Sequence, residues 1–156
     1  MVLGHDGMVN ITGTIQDNTC EVAPDSESMA VDMGTVAREQ FSEVGDTSPA
    51  KPFSIMLKNC GPAASEATVT FSGTSDPQNN TLYALESGED AASGLALAIF
   101  GSNGAIIPPD SASSGFQLSP GQTSVTMNFS AKYESVTQPV SAGKANTVVS
   151  FVVKYN

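Results

Sequence analysis

The sequence predicts an all-β sandwich, and three observations carry that expectation. Apolar and polar residues alternate with period two in segment after segment, and no stretch has a convincing 3.6-residue period. Clusters of Gly, Pro, Asn and Ser punctuate the alternating runs. At 156 residues the chain reads as a single domain with room for a full core. It has no Trp and few other aromatics, so that core must be built from Val, Ile, Leu, Ala and Phe.

The first element spans Gly7 to Gln16. Val9, Ile11 and Ile15 face one way, while Asn10, Thr12, Thr14 and Gln16 face the other. Gly13 falls on the apolar side and leaves a gap there. Next, Phe53, Ile55 and Leu57 alternate with Ser54, Met56 and Lys58 as far as Cys60, and Gly61-Pro62 ends the run. Ala67, Val69 and Phe71 alternate with polar partners up to Gly73. Leu95 to Phe100 is continuously apolar, the pattern of a strand covered on both faces. The longest run is Val125, Met127, Phe129, Ala131 and Tyr133, and the chain closes with Thr147, Val149, Phe151, Val153 and Tyr155. Turn clusters lie between them at 75–80, 102–104, 108–110 and 119–121. Residues 36–50 are the one stretch with a candidate helical turn, from Val36 to Phe41. Short strands at such intervals define an immunoglobulin-like sandwich. The chain has no internal repeat, linker or low-complexity tract.

Charge and composition exclude several functions. Six Lys and Arg against 16 Asp and Glu give a net charge of -10. Nucleic acids and anionic membranes both require basic patches, so neither is an expected partner. No run is long and apolar enough to span a bilayer. The single histidine, His5, lies in the N-terminal tail, so the domain body has no Ser-His-Asp triad, Cys-His pair or histidine metal site. Glu89-Asp90 is the one carboxylate pair, in a glycine-flanked loop where such neighbours are normally solvated. No Asp-x-Asp-x-Asp-Gly spacing supports calcium. Asn10-Ile-Thr12 and Asn128-Phe-Ser130 match the glycosylation sequon but fall within strands. The expectation is a non-enzymatic protein without cofactor or metal. A carbohydrate-binding role is disfavoured, because Tyr83, Tyr133 and Tyr155 are the only tyrosines and no Trp offers a stacking platform.

Cys20 and Cys60 each lie in or beside a strand, and a disulfide between them is the natural reading, with two buried free thiols as the alternative. The bond would close a loop of about 40 residues and stabilise the fold by roughly 4 kcal/mol. It would place the chain in an oxidising compartment. Met1 to His5 lacks the basic and apolar regions of a signal peptide, so the chain reads as a mature form.

Two features fit together. The last strand runs to the C-terminus with no return, which in a sandwich often leaves a neighbouring position unfilled. An additional amphipathic strand precedes Cys20. An N-terminal strand of one molecule filling the groove of another would be donor-strand complementation. An ordinary edge strand of the same molecule is the plainer alternative.

These residues resemble the pilins of the chaperone–usher pathway. Tyr155 is penultimate and Gly143 is fourteenth from the end, the C-terminal pattern of that family. The resemblance covers about Gly7 to Asn156. Asp17-Asn18-Thr19-Cys20, Pro52-Phe53-Ser54-Ile55-Met56-Leu57, Leu82-Tyr83-Ala84-Leu85-Glu86, Ala92-Ser93-Gly94-Leu95 and Thr126-Met127-Asn128-Phe129 are similar to the adaptor subunit of the type 1 fimbrial tip. A rod-forming major pilin shares the same skeleton.

The resemblance implies an incomplete immunoglobulin-like sandwich at 17–156, completed by a donor strand, with a donor extension at 1–16 whose first six residues are appended or disordered. Val9, Ile11, Gly13 and Ile15 would be the donor residues. Gly143, Val149, Phe151, Val153 and Tyr155 would form the groove and chaperone-binding strand. The implied partners are neighbouring subunits, a periplasmic chaperone and an outer-membrane usher. The implied locations are the periplasm in transit and then a surface fimbria.

Overall fold

The computed structural model describes residues 4–15, 20–59, 66–88, 90–118, 124–141 and 143–155. Within them the strands are β1 (Gly4–Ile15), β2 (Glu21–Val22), β3 (Ser28–Ala37), β4 (Lys51–Lys58), β5 (Glu66–Ser72), β6 (Tyr83–Ala84), β7 (Leu95–Phe100), β8 (Ser111–Ala112), β9 (Phe116–Gln117), β10 (Ser124–Ser135), β11 (Gly143–Lys144) and β12 (Thr147–Tyr155). They form two sheets. One runs β3-β1-β12-β5, with β8 and β9 on the far side of β5 and β11 beside the start of β1. The other runs β2-β4-β10-β7-β6. Helix is confined to one turn, α1 (Pro24–Glu27), and a 3-10 turn at Arg38–Gln40, within the stretch where a helical turn was expected.

The alternation read from the sequence is the alternation of burial. Phe53, Ile55 and Leu57 of β4, Val69 and Phe71 of β5, and Met127, Phe129, Ala131 and Tyr133 of β10 all point into the sandwich and are buried. β7 is covered on both faces. Leu95, Leu97 and Ile99 join the main core, whereas Ala96 and Ala98 pack with Leu82 against Phe100 and Val136. Transfer of each large aliphatic side chain out of water is worth about 1.5–3 kcal/mol, which is why the period-2 pattern is so closely obeyed.

An aromatic cluster joins the two sheets. Phe53 stacks on Phe129 with centroids 5.5 Å apart, and Phe71 meets Phe129 edge to face at 5.1 Å. Phe151 of β12 approaches Phe71 at 6.3 Å. Such contacts add about 0.5–1.5 kcal/mol each beyond their area. They also hold Phe151 in place, which matters for the strand beside it.

Two tyrosines lie wholly inside the core, and each hydroxyl has a partner. Tyr83 donates to the carbonyl of Ile107 at 3.0 Å, and Tyr133 to that of Ala145 at 2.6 Å. Burial raises both phenols above their ordinary range, and the nearby charge of Asp110 (for Tyr83) or Asp32 (for Tyr133) raises them further. Cys20 is buried and disulfide-bonded. Cys60, the other cysteine of the sequence, lies outside the described residues.

β3 is the element that the sequence reading omits. Met29, Val31 and Met33 do alternate, and Val31 and Met33 are buried. The run is then broken at Gly34, which has φ +72°, and the pairing with β1 shifts register between Gly7 and Met8. That bulge interrupts the simple alternation that marks a strand.

A strand-docking groove as the candidate functional site

β1 is the interior strand between β3 and β12. It runs antiparallel to β3, from Gly4 opposite Ala37 to Thr12 opposite Ser28. It runs parallel to β12, from Val9 opposite Thr147 to Ile15 opposite Val153, and the same offset continues into β11 with His5 opposite Gly143. In this molecule the N-terminal strand therefore sits in the chain's own sheet, beside its own C-terminal strand.

Its apolar face supplies the groove's filling. Val9 and Ile11 are fully buried, Met8, Asn10 and Thr12 face out, and Val149, Phe151 and Val153 line β12 on the inner side. The two strands together complete the wall of the core. The backbone pairing of Ile15 and Tyr155 is described, whereas their side chains lie outside the described residues. The Met8 amide donates to Asn146 Oδ1 at 3.0 Å, where β11 and β12 part.

Both glycines on the inner face are demanded by what they face. A Cβ at Gly13 would overlap the ring of Phe151. A Cβ at Gly7 would overlap the Tyr133 hydroxyl and lie 2.5 Å from the Ala145 carbonyl oxygen. Glycine here serves close approach rather than an unusual backbone conformation.

Gly143 has a comparable reason. A Cβ there would lie 2.6 Å from the Asp90 carbonyl oxygen and 2.7 Å from the Ala91 carbonyl carbon and the Ala92 amide nitrogen. The Lys144 amide donates to that Asp90 carbonyl, and the Ala92 amide donates to the Lys144 carbonyl. Gly143 thus lets the loop before Ala92 clamp the entry to the C-terminal strand.

Sequence reasoning located Val9, Ile11 and Gly13, but it missed Gly7, Tyr133, Ala145 and Thr147 as parts of the groove. Thr147 is buried, and its hydroxyl has no hydrogen-bond partner among the described residues. Gly7 read as the start of a strand because nothing local shows a tyrosine hydroxyl contributed by β10. The site is mechanical rather than chemical. Among the described residues no three His, Cys, Asp or Glu come together as a metal site, and no helix is long and apolar enough to cross a membrane.

An immunoglobulin-like sandwich whose terminal strands lie side by side defines the class. The family model described as "Fimbrial protein" matches residues 9–156, and the chain belongs to that family. It is 41% identical over 155 residues to the uncharacterized fimbrial-like protein YcbV of Escherichia coli strain K12, covering 99% of this chain and 89% of that one. It is 34% identical over 151 residues to the probable major fimbrial subunit LpfA of Escherichia coli O157:H7, covering 96% and 84%. Among solved structures, a Burkholderia pseudomallei antigen and type I fimbria protein aligns with TM-score 0.60 at 32% identity, covering 96% of this chain and 94% of that one. The P pilus rod subunit PapA aligns with TM-score 0.68 at 17% identity, covering 88% and 99%, and shares the fold. The fold is that of the chaperone–usher pilins. The chain is a structural subunit of a surface fimbria, with other pilus subunits as its neighbours, and is not an enzyme.

Proposed function

We propose that this subunit is linked into its fimbria by donor-strand exchange, with residues 1–16 as the donor extension and 17–156 as the receiving domain. The observation that supports this most is the position of β1. It is an interior strand, yet only non-covalent contacts with β3 and β12 hold it along its length. It can leave the groove and be replaced by another strand without disturbing the second sheet. In the periplasm a chaperone would lend the replacement strand, and at the outer-membrane usher a neighbouring subunit would supply the final one.

Val9 and Ile11 would contribute about 3–6 kcal/mol by burial, and each ladder hydrogen bond about 0.5–1.5 kcal/mol. Because the whole strand must peel away before the link opens, the link's persistence is a matter of rate as much as of equilibrium. No nucleotide or metal enters the process. Val149, Phe151, Val153 and Tyr155 form the receiving strand, and the Cys20–Cys60 bond would tie the receiving domain together.

Ile11→Arg is expected to leave chaperone capture intact, since the chaperone supplies its own strand, and to abolish donation. An arginine at a fully buried, unpaired position costs several kcal/mol. Cells producing this variant should show monomeric subunit–chaperone complexes and no fimbriae containing it. Polymers that still incorporate Ile11→Arg would refute the donor assignment.

Within the fimbria we place the subunit at the tip, as an adaptor, on the stretches around Cys20, Pro52 to Leu57 and Leu82 to Glu86. A rod-forming role is the second reading, favoured by the likeness to a probable major fimbrial subunit. Electron microscopy of the chain expressed with its chaperone and usher separates them. Short capped complexes are expected of an adaptor, and long helical rods would establish the rod role. A sugar-binding adhesin domain is a third and weaker reading, lacking any aromatic platform.

A further inference from the structure

We propose that β1 can be read by the groove in both directions, and that β1 of a second copy of this chain docks antiparallel to β12 in one defined register. This rests on the strand-exchange reading above. The groove has two points where a side chain cannot enter. One lies under the Tyr133 hydroxyl at Ala145, and the other lies over the ring of Phe151. They are six residues apart in the receiving strand, and Gly7 and Gly13 are six residues apart in β1.

In the observed parallel arrangement Gly7 meets the first obstruction and Gly13 the second. When the strand is turned end for end about Asn10, the two glycines exchange places. Gly13 then lies under the Tyr133 hydroxyl and Gly7 lies over Phe151. Asn10 stays opposite Val148, its partner in the parallel register. Val9 comes to face Val149 and Ile11 comes to face Thr147, the reverse of their present positions. Those two side chains differ by a single methylene, so the pocket contents are nearly unchanged.

The parity of the strand is preserved as well. Met8, Asn10 and Thr12 still face out, and the Thr12 amide takes the place of the Met8 amide opposite Asn146. Ile15 comes to lie opposite Gly143. A two-residue slip is not tolerated, since it places either Val9 or His5 on Phe151. The glycine pair thus fixes the register whichever way the strand enters. A strand docked on its own domain and the same strand donated to another satisfy one set of obstructions.

Cysteine pairs on the exposed outer face test this in the full-length chain. Thr12 and Ser150 are opposite each other in the self-docked molecule, so Thr12→Cys/Ser150→Cys should give an intramolecular disulfide. Met8 lies about 13 Å along the strand from that position, too far for a disulfide within one molecule. The reversed register places Met8 of one copy opposite Ser150 of another, and Thr12 opposite Asn146. After partial unfolding and refolding at high protein concentration, Met8→Cys/Ser150→Cys should yield covalent dimers and larger species. Thr12→Cys/Asn146→Cys reports the same register from the other end and covers a failure of the first pair to fold. Mass spectrometry of the linked peptides identifies the pairing. Intermolecular links at Thr14→Cys/Ser150→Cys, or between copies at Thr12→Cys/Ser150→Cys, would overturn the register while leaving strand donation standing. Monomers alone from both test pairs would overturn the inference, and strand donation would then be decided by Ile11→Arg.

Discussion

A chain lacking residues 1–16 is expected to be unable to hold its fold, and a peptide of residues 4–16 added in trans is expected to restore it. β1 is the link between β12 and β3, because among the described residues β3 has no other sheet partner. Its removal uncovers the inner faces of Val149 and Phe151 and detaches Val31 and Met33 of β3 along with it. Counting Val9, Ile11, Val31 and Met33 at about 1.5–3 kcal/mol each gives about 6–12 kcal/mol of lost burial. The whole stability of a domain this size is of order 5–15 kcal/mol. The loss is therefore comparable to everything that keeps the domain folded, before any ladder hydrogen bond is considered. Circular dichroism and thermal melts of the truncated chain, with and without the peptide, provide the measurement. A truncated chain that melts cooperatively at the full-length temperature would show that the groove does not need a strand.

The sequence revealed much of this arrangement, but not all. The runs at 53–57, 67–71, 95–100, 125–133 and 147–155 are strands in the structure, because burying alternate side chains is the dominant local signal. The two-residue strands β2, β6, β8, β9 and β11 have no such signal. Their pairing is imposed by neighbours, and two residues cannot display a period. β3 was lost at the bulge beside Gly34. The destination of β1 is the more instructive case. Alternation shows that one face of residues 9–15 is buried, but not which strand lies alongside, since that information resides over a hundred residues away. The structure pairs it with the chain's own β12. The need for Gly7 is invisible for the same reason, because the hydroxyl that excludes a side chain belongs to Tyr133 of the opposite sheet.

Gly13→Val is the second substitution expected to have a large effect, and its partner residue makes the reason testable. The new Cβ would occupy the space of the Phe151 ring, so either the ring or the strand must move. The ring is poorly placed to move. It is 1% exposed and packed against Phe71, which itself is locked edge to face with Phe129. Overpacking of this kind costs about 1–3 kcal/mol where the surroundings can adjust, and more where they cannot. Ejecting β1 from its groove is the remaining relief, and it exposes Val9 and Ile11 together. The expected result is a melting temperature lowered by several degrees and faster amide exchange along β1 and β3 than in the wild type. Phe151→Ala alone should also be destabilising, by about 3–5 kcal/mol, because it empties part of the core. Combined, the two changes should cost much less than their sum, since the valine then occupies space that the ring has vacated. A double variant whose losses simply add would show that Gly13 is not kept small by Phe151. The register of the docked strand would then have to be set by something other than its glycines.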